Sequence, residues 1–200
     1  MSMQPQQSNI KLNPFSVMSN WLYAEIPEGS TKRPNMRFGV FGNVPRITVN
    51  TNIKDDLNKG KIEWNTDLPT FMLMVSYIDR LAKNEPNLPP RREFIYQNDY
   101  VAGKNLGKVV PLTRLVVGRE KESERIYIAA ISTQTQRPRI KFYFGPSKYH
   151  DILNEEGQRV SAREMSELYA IGFADAARLL TTKIIVNDFD PNAKNVANPA

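Results

Sequence analysis

The sequence predicts an α+β fold of antiparallel β-sheet with two main helices on one face. Segments with the two-residue alternation of strands occur in both halves of the chain, and each half ends in a segment with helical spacing. A stretch with three prolines, 84–92, lies between the halves and cannot form regular structure. Strands followed by segregated helices are typical of α+β proteins. The order also fits two strand-rich halves, each followed by a helix.

The first half begins with three predicted strands. Residues 15–26 form a mixed apolar run that predicts a strand ending at two prolines and a glycine. Residues 36–41 and 46–51 alternate between apolar and polar side chains on either side of a turn sequence, which predicts a hairpin. One face of this hairpin should be apolar and the other polar and cationic.

A short strand and a helix complete the first half. The strand is predicted at 61–64, and Asp67 with Pro69 marks the start of a helix. Apolar residues at spacings of three and four continue to Ala82, which predicts a helix over 68–82 with one face in the core.

The second half contains four predicted strands and a second helix. The strands are expected at 93–100, 112–117, 125–132 and 139–144. Ser161 and Glu164 form a capping box that starts the helix. Its predicted core face is Met165, Leu168, Tyr169, Gly172, Phe173, Ala176, Leu179 and Leu180. A last strand is expected at 183–186.

The composition indicates one domain and little enzyme chemistry. The 200 residues are 40% hydrophobic, enough for one core, and we expect a single domain over 14–187 between flexible tails at 1–13 and 188–200. With no cysteine and one histidine, His150, the chain lacks the residues for thiolate zinc sites, cysteine nucleophiles or histidine-rich metal centres. We therefore expect no catalytic residues, no metal and no cofactor.

Charge and hydropathy indicate the compartment and the type of partner. The formal charge of +6 suits a polyanion. No apolar run is long enough to cross a bilayer, and the N-terminus lacks the apolar core of a signal peptide. We expect a cytoplasmic protein without a membrane partner.

The candidate nucleic-acid interface is centred on residues 139–144. At strand spacing, Arg139, Lys141 and Tyr143 point away from the core, and two cations with an aromatic ring can neutralise phosphates and stack a base. An ordinary half-buried strand with a basic outer face is the alternative. Because Arg125 and Tyr127 repeat this chemistry on the preceding strand, the sequence favours a binding face.

Further candidates come from the hairpin and from two loops. On the hairpin, Arg37, Phe41 and Arg46 lie on the predicted outer face, although Phe41 fits equally well beneath the turn. Arg37, Arg46, Arg125, Arg139 and Lys141 should follow the backbone, while Phe41, Tyr127 and Tyr143 stack bases. The loop candidates are Lys104, Lys108 and Arg137. The segment around the two lysines lacks phosphate-loop spacing, so we expect simple contacts from a flexible loop, with plain solvation as the alternative.

Three stretches of the chain carry a family resemblance. They are Lys-Ile-Glu-Trp at 61–64 leading into Asp-Leu-Pro-Thr-Phe at 67–71, Arg-Pro-Arg-Ile-Lys-Phe-Tyr-Phe-Gly-Pro-Ser at 137–147, and the alanine-rich helix at 168–180. The chain resembles the small single-stranded-DNA-binding proteins of podophages, in particular the Drc-like RNA polymerase cofactors of the Schitoviridae. The resemblance implies preferential binding of single-stranded DNA in the host cytoplasm, recruitment of a phage RNA polymerase to melted promoters, and a fold other than the standard OB barrel.

We therefore expect a non-catalytic single-stranded-DNA-binding protein that assists phage transcription, replication or both. The small residues of the last helix would also allow close approach of a second subunit, which predicts a homo-oligomer. A metal-dependent nuclease using the acidic pairs at 55–56, 155–156 and 188/190 is one alternative, and it would cleave DNA with magnesium. A structural or assembly protein of a virion is another, and it would bind no nucleic acid.

Overall fold

The computed structural model describes residues 14–28, 30–41, 43–101, 104–133, 137 and 139–187. In chain order these residues form a 3-10 helix (Pro14–Trp21), β1 (Leu22–Tyr23), β2 (Asn35–Phe41), β3 (Val44–Asn50), a short 3-10 segment (Leu57–Gly60), β4 (Lys61–Asn65), α1 (Leu68–Ala82), β5 (Arg91–Val101), β6 (Lys104–Arg119), β7 (Ile126–Ser132), β8 (Phe142–Phe144) and α2 (Ala162–Asn187). The order of strands, helix, strands and helix is the predicted one. The expected tails, 1–13 and 188–200, lie outside the described residues.

The strands form two antiparallel sheets. One has the order β1-β8-β7-β6-β5, and the other has the order β2-β3-β4. Neither sheet closes into a barrel within the described strands. The α+β prediction with antiparallel sheets, and without an OB barrel, is confirmed.

The two sheets and both helices share one hydrophobic core. The inner face of the larger sheet presents alternate residues of β6, β7 and β8, and the smaller sheet presents alternate residues of its three strands, as the two-residue period requires. These inward residues are Leu115, Val117, Ile126, Ile128, Ala130, Phe142 and Phe144 on the larger sheet and Met36, Phe38, Ile47, Val49, Ile62 and Trp64 on the smaller. Residues of both predicted helices pack into the same core.

The Phe173 ring of helix α2 contacts both sheets. Phe173 contacts Phe38 of the smaller sheet edge-on at 5.4 Å between ring centroids and Phe144 of the larger sheet at 5.1 Å. Such edge-to-face pairs stabilise a core beyond the area that they bury. The core is therefore continuous across the proline-rich join that the sequence suggested as a boundary between halves.

Helix α1 has the predicted bounds. The Asp67 side chain accepts a hydrogen bond from the Thr70 backbone N–H at 2.7 Å, and Pro69 lies in the first turn. This cap satisfies a backbone donor that has no partner within the helix. At the other end, the last turn is followed by Lys83, whose N–H donates back to Asp79.

Helix α2 starts at the predicted capping box, but its buried face differs from the prediction. The Glu164 N–H donates to Ser161 Oγ at 3.1 Å. Leu168 and Leu179 are exposed, whereas three alanines that the stripe omitted are fully buried: Ala170, Ala174 and Ala177. The surface that approaches these small residues is the protein's own core, so they no longer argue for a homo-oligomer.

Three predicted segments have other structures. Residues 15–21 are a 3-10 helix and only Leu22–Tyr23 is a strand. The expected loop at 103–108 belongs largely to β6, which begins at Lys104 and pairs with β5. Residues 183–186 continue α2, which ends at Asn187, and are not a strand.

The described helices also bear on membrane insertion. None of them combines the length and the apolar composition needed to cross a membrane.

Candidate nucleic-acid interface

A groove lies on the solvent side of the three-stranded sheet, where the sequence places the cationic face of the hairpin. Its volume is about 330 Å³. Arg37 of β2, Arg46 of β3 and Lys61 of β4 line it, so each strand contributes one cation. Thr48 and Asn50 add polar side chains to the lining.

Strand register sets the spacing of these cations. Arg37 pairs across the strands with Thr48, and Arg46 pairs with Gly39. Arg37 and Arg46 are therefore diagonal neighbours, with Cα atoms about 7–8 Å apart. Gly39, directly opposite Arg46, carries no side chain, so only backbone lines the groove at that point.

One carboxylate lies among the cations. Glu63 Oε1 accepts from Lys61 Nζ at 2.7 Å and lies 3.4 Å from Arg46 Nη1. The Arg46 Nε–H also donates to Asn65 Oδ1 at 2.7 Å, which orients the guanidinium. Arg37 is exposed and forms no ion pair with a carboxylate of the described residues. The groove thus keeps an excess of positive charge.

The larger sheet corrects the expectation for Tyr127 and Tyr143. Both side chains point to the predicted outer side, but each residue is only 8% exposed, in a second cluster with Val116, Ala129 and Ile131. Their rings contact each other edge-on at 6.2 Å. A ring needs a free face to stack a base, and neither tyrosine has the exposure that this requires.

The neighbouring cations cover these tyrosines. The Arg125 guanidinium lies 4.2 Å from the Tyr143 ring centroid, and Lys141 Nζ lies 5.0 Å from that of Tyr127. Lys141 also forms an ion pair with Glu120 at 2.6 Å. The sequence predicted the cations and rings on one face correctly, but they interact with each other.

Glu120 binds the cluster together. Its Oε1 accepts from Lys141 Nζ and from the Tyr143 hydroxyl at 2.8 Å, and its Oε2 accepts from Ser123 Oγ at 2.7 Å. The hydrogen bond from Lys141 is the largest influence and lowers the pKa of Glu120 to about 2, against the opposing effect of burial. Burial and the bond to Glu120 raise the pKa of Tyr143.

Arg137 is a structural residue rather than a phosphate contact. Its guanidinium donates to both carboxylate oxygens of Asp56, at 3.0 and 2.7 Å, and to the Lys61 carbonyl at 2.8 Å. The two side chains are 5% and 6% exposed. The hydrogen bonds from Arg137 lower the pKa of Asp56. The expectation of a phosphate contact is corrected, because the side chain is almost fully buried and already donates to a carboxylate and a carbonyl.

The remaining candidates lie apart from the groove. Arg139 is exposed, and it lines a separate cavity of about 380 Å³ with Lys141, Glu25 and Glu28, so the charge there is mixed. Lys104 and Lys108 are exposed on β6, in the hairpin that β6 forms with β5. They are available to an anion at that hairpin.

Two further residues bear on the predicted set. Phe41 is the last residue of β2, and its side chain lies outside the described part of the structure. Lys61 was not among the predicted contacts. It is the first residue of a predicted strand, and its side chain lies on the face of the sheet away from that of the core residue Ile62. That alternation was the signal that identified Arg37 and Arg46.

Of the acidic pairs of the nuclease alternative, 55–56 and 155–156 lie in the described part of the structure, and 188/190 lies outside it. Asp56 is bound to Arg137. Within the described residues, no group of three metal-ligating side chains lies close enough to hold an ion.

Comparison with known proteins adds no relative. The chain matches no protein-family model, no curated protein and no solved structure.

Proposed function

We propose that the protein is a non-catalytic single-stranded-DNA-binding protein. The observation that supports this most strongly is the groove of the three-stranded sheet, where Arg37, Arg46 and Lys61 from three adjacent strands line one open channel. A positively charged groove that follows the backbone is the common feature of proteins that bind single strands with little sequence preference.

The shape of the groove favours a single strand over a duplex. It lies on the face of a sheet, and bare backbone at Gly39 leaves room for a flat base or a sugar. The cations stand on a sheet face rather than on a helix that could enter the major groove of a duplex. Thr48 and Asn50 offer hydrogen bonds to phosphate or base edges.

The family resemblance extends this proposal to a role and a partner. On that basis, the bound strand is the melted DNA of a phage promoter or replication intermediate, and a phage RNA polymerase is the protein partner. The groove supports the proposed DNA contact, and the polymerase contact rests on the resemblance alone.

The test is a titration followed by fluorescence polarisation. A labelled thirty-nucleotide single strand and its duplex are titrated with the protein at low and moderate salt. We expect tight, salt-sensitive binding of the single strand and weak binding of the duplex. Arg37→Ala and Lys61→Ala should each reduce the magnitude of the salt slope by about 0.7 for a single strand.

The matched control is Arg80→Ala in α1. Arg80 is about half exposed and paired with Glu85, so it resembles the groove cations in exposure but does not line the groove. Its replacement should leave the slope unchanged. Equal binding of strand and duplex, or equal slopes for groove and control variants, would reject the groove as the binding site.

A charge substitution in the opposite direction strengthens the test. Glu63→Gln removes the carboxylate that competes with DNA phosphates for Lys61 and Arg46. It should therefore tighten single-strand binding and steepen its salt dependence. Weaker binding by a variant that remains folded would show that Glu63 serves mainly to position the two cations.

A further inference from the structure

A second cationic cavity, the cleft, lies between the segment after β8 and the start of α2. Its volume is about 420 Å³. Arg33, Arg125, Lys148 and Arg159 line it, from three connections of the chain: those before β2, before β7 and before α2. The cleft and the groove share no lining residue.

Most of the positive charge in the cleft is not neutralised. Arg159 is paired with Asp151 at 2.8 Å, but the other three cations form no ion pair with any carboxylate of the described residues. Arg125 lies over the Tyr143 ring, which fixes its position without cancelling its charge. Lys148 lies in the same way over the exposed Tyr149, at 4.9 Å.

The rest of the lining is apolar or aromatic. Tyr23, Pro146 and Val160 are each partly exposed, and they contribute one ring and two apolar side chains to the cleft. Ala162, the first residue of the 26-residue α2, is also at the cleft, so the positive end of that helix adds to the field of the side chains. The cleft therefore combines cations with an apolar wall.

This combination fits one nucleotide with a terminal phosphate. Ligand sites of about 300–1,000 Å³ are typical for small molecules, with apolar walls and a few polar groups that orient the ligand. A phosphate monoester carries about −1.5 to −2 charges near pH 7 and three acceptor oxygens, more than an internal phosphodiester. Three cations that have no carboxylate partner among the described residues match the monoester better.

We propose that the cleft binds a nucleoside monophosphate, with the terminal phosphate held by Arg33, Arg125 and Lys148 and the nucleoside against the partly exposed Tyr23 and Val160. The ligand is either a free nucleotide or the phosphorylated end of a strand. Because the cleft is separate from the groove, this inference does not depend on the proposed function.

The first experiment measures binding of thymidine 5′-monophosphate, thymidine and inorganic phosphate by isothermal titration calorimetry. We expect the monophosphate to bind at least about tenfold more tightly than thymidine, since thymidine lacks the charged group that accepts hydrogen bonds from the three cations. Inorganic phosphate should bind more weakly than the monophosphate. Equal affinity for phosphate and monophosphate would overturn the nucleoside contact, and no heat from the monophosphate at millimolar concentration would overturn the site.

Variants locate the site. Arg33→Gln and Lys148→Gln remove exposed cations that form no ion pair with a carboxylate of the described residues, so both proteins should remain folded by circular dichroism. Each should weaken monophosphate binding about tenfold. Arg80→Gln is the control outside the cleft, and Arg37→Ala is the control in the groove. Equal losses in the cleft variants and the controls would overturn the assignment to the cleft.

The second experiment distinguishes the two sources of the phosphate. The same short oligonucleotide, with a 5′-phosphate or a 5′-hydroxyl, competes with the bound monophosphate. Selective competition by the phosphorylated strand identifies a strand end as the ligand. If neither strand competes while the monophosphate binds, the ligand is the free nucleotide, and equal competition by both strands would overturn recognition of a terminal phosphate.

Discussion

At the scale of the residue, the local partners of a cation decide what it can bind. Arg37 and Arg137 are the same residue type, and both follow from the sequence as candidate phosphate contacts. Arg37 stands on an open sheet face, whereas the guanidinium of Arg137 is almost fully buried and donates three hydrogen bonds, two to Asp56 and one to a carbonyl. A bidentate ion pair between a guanidinium and a carboxylate is strong and directional. The N–H groups of Arg137 that form these bonds are therefore not available to a DNA phosphate.

The same reasoning makes Glu120 a stability residue with a defined pH dependence. Its pKa is lowered to about 2 from 4.5, first by the hydrogen bond from Lys141. Because the folded-state pKa is below the unfolded value, this stabilisation is complete above about pH 4.5 and is lost as the pH falls toward 2. Glu120→Gln should lower the free energy of unfolding by about 1–3 kcal/mol at pH 7, and by less at pH 3.

Urea unfolding followed by circular dichroism at pH 7, 5 and 3 measures this effect. The control is Glu122→Gln, which alters an exposed glutamate in the same loop and should change little. A deficit for Glu120→Gln that is as large at pH 3 as at pH 7 would contradict the assignment, because a loss of packing alone does not titrate.

At the scale of the element, the sequence predicts what local chemistry determines. Capping side chains and the two-residue alternation act within a few positions, so the bounds of α1 and the faces of the β2–β3 hairpin follow from the sequence. The fate of residues 15–21 depends on the helix and sheet that they pack against. Likewise, the alternation on β8 places Tyr143 on the outer side, but its burial depends on Arg125 and Glu120, which come from elsewhere in the chain.

The contact between the first 3-10 helix and α2 is one such tertiary feature, and it gives a testable prediction. A Cβ at Gly172 would lie 2.6 and 2.9 Å from two ring carbons of Trp21. Trp21 also contacts the Tyr169 ring at 5.8 Å. Although alanine is the better helix former by about 1 kcal/mol, overpacking typically costs about 1–3 kcal/mol. Gly172→Ala should therefore destabilise the protein.

Thermal unfolding of Gly172→Ala beside Gly145→Ala checks this prediction. A Cβ at Gly145 would meet no heavy atom within 4 Å, so that substitution should be tolerated. If Gly172→Ala were more stable than the parent protein, Trp21 would have to move aside without cost.

At the scale of the whole molecule, hydrogen bonds connect the two sheets. The Trp64 indole N–H donates to the Phe94 carbonyl at 3.1 Å, and the Thr113 hydroxyl donates to the Glu63 carbonyl at 2.7 Å. Glu63 also lies at the groove cations, so the same strand joins the sheets and supports the candidate interface. The sequence does not show this, because residues about 30 to 50 positions apart meet only in the folded chain.

A continuous core predicts one cooperative unfolding transition, and the two tryptophans can report on it. Trp21 packs at the 3-10 helix and α2, while Trp64 is buried where the smaller sheet meets β5. In Trp64→Phe and Trp21→Phe, fluorescence comes from the one tryptophan left. In each variant its urea midpoint should coincide with the midpoint from far-ultraviolet circular dichroism, as two-state behaviour requires. Separate midpoints within one variant would show that the sheets unfold independently. The three-stranded sheet that carries the groove would then have a stability of its own.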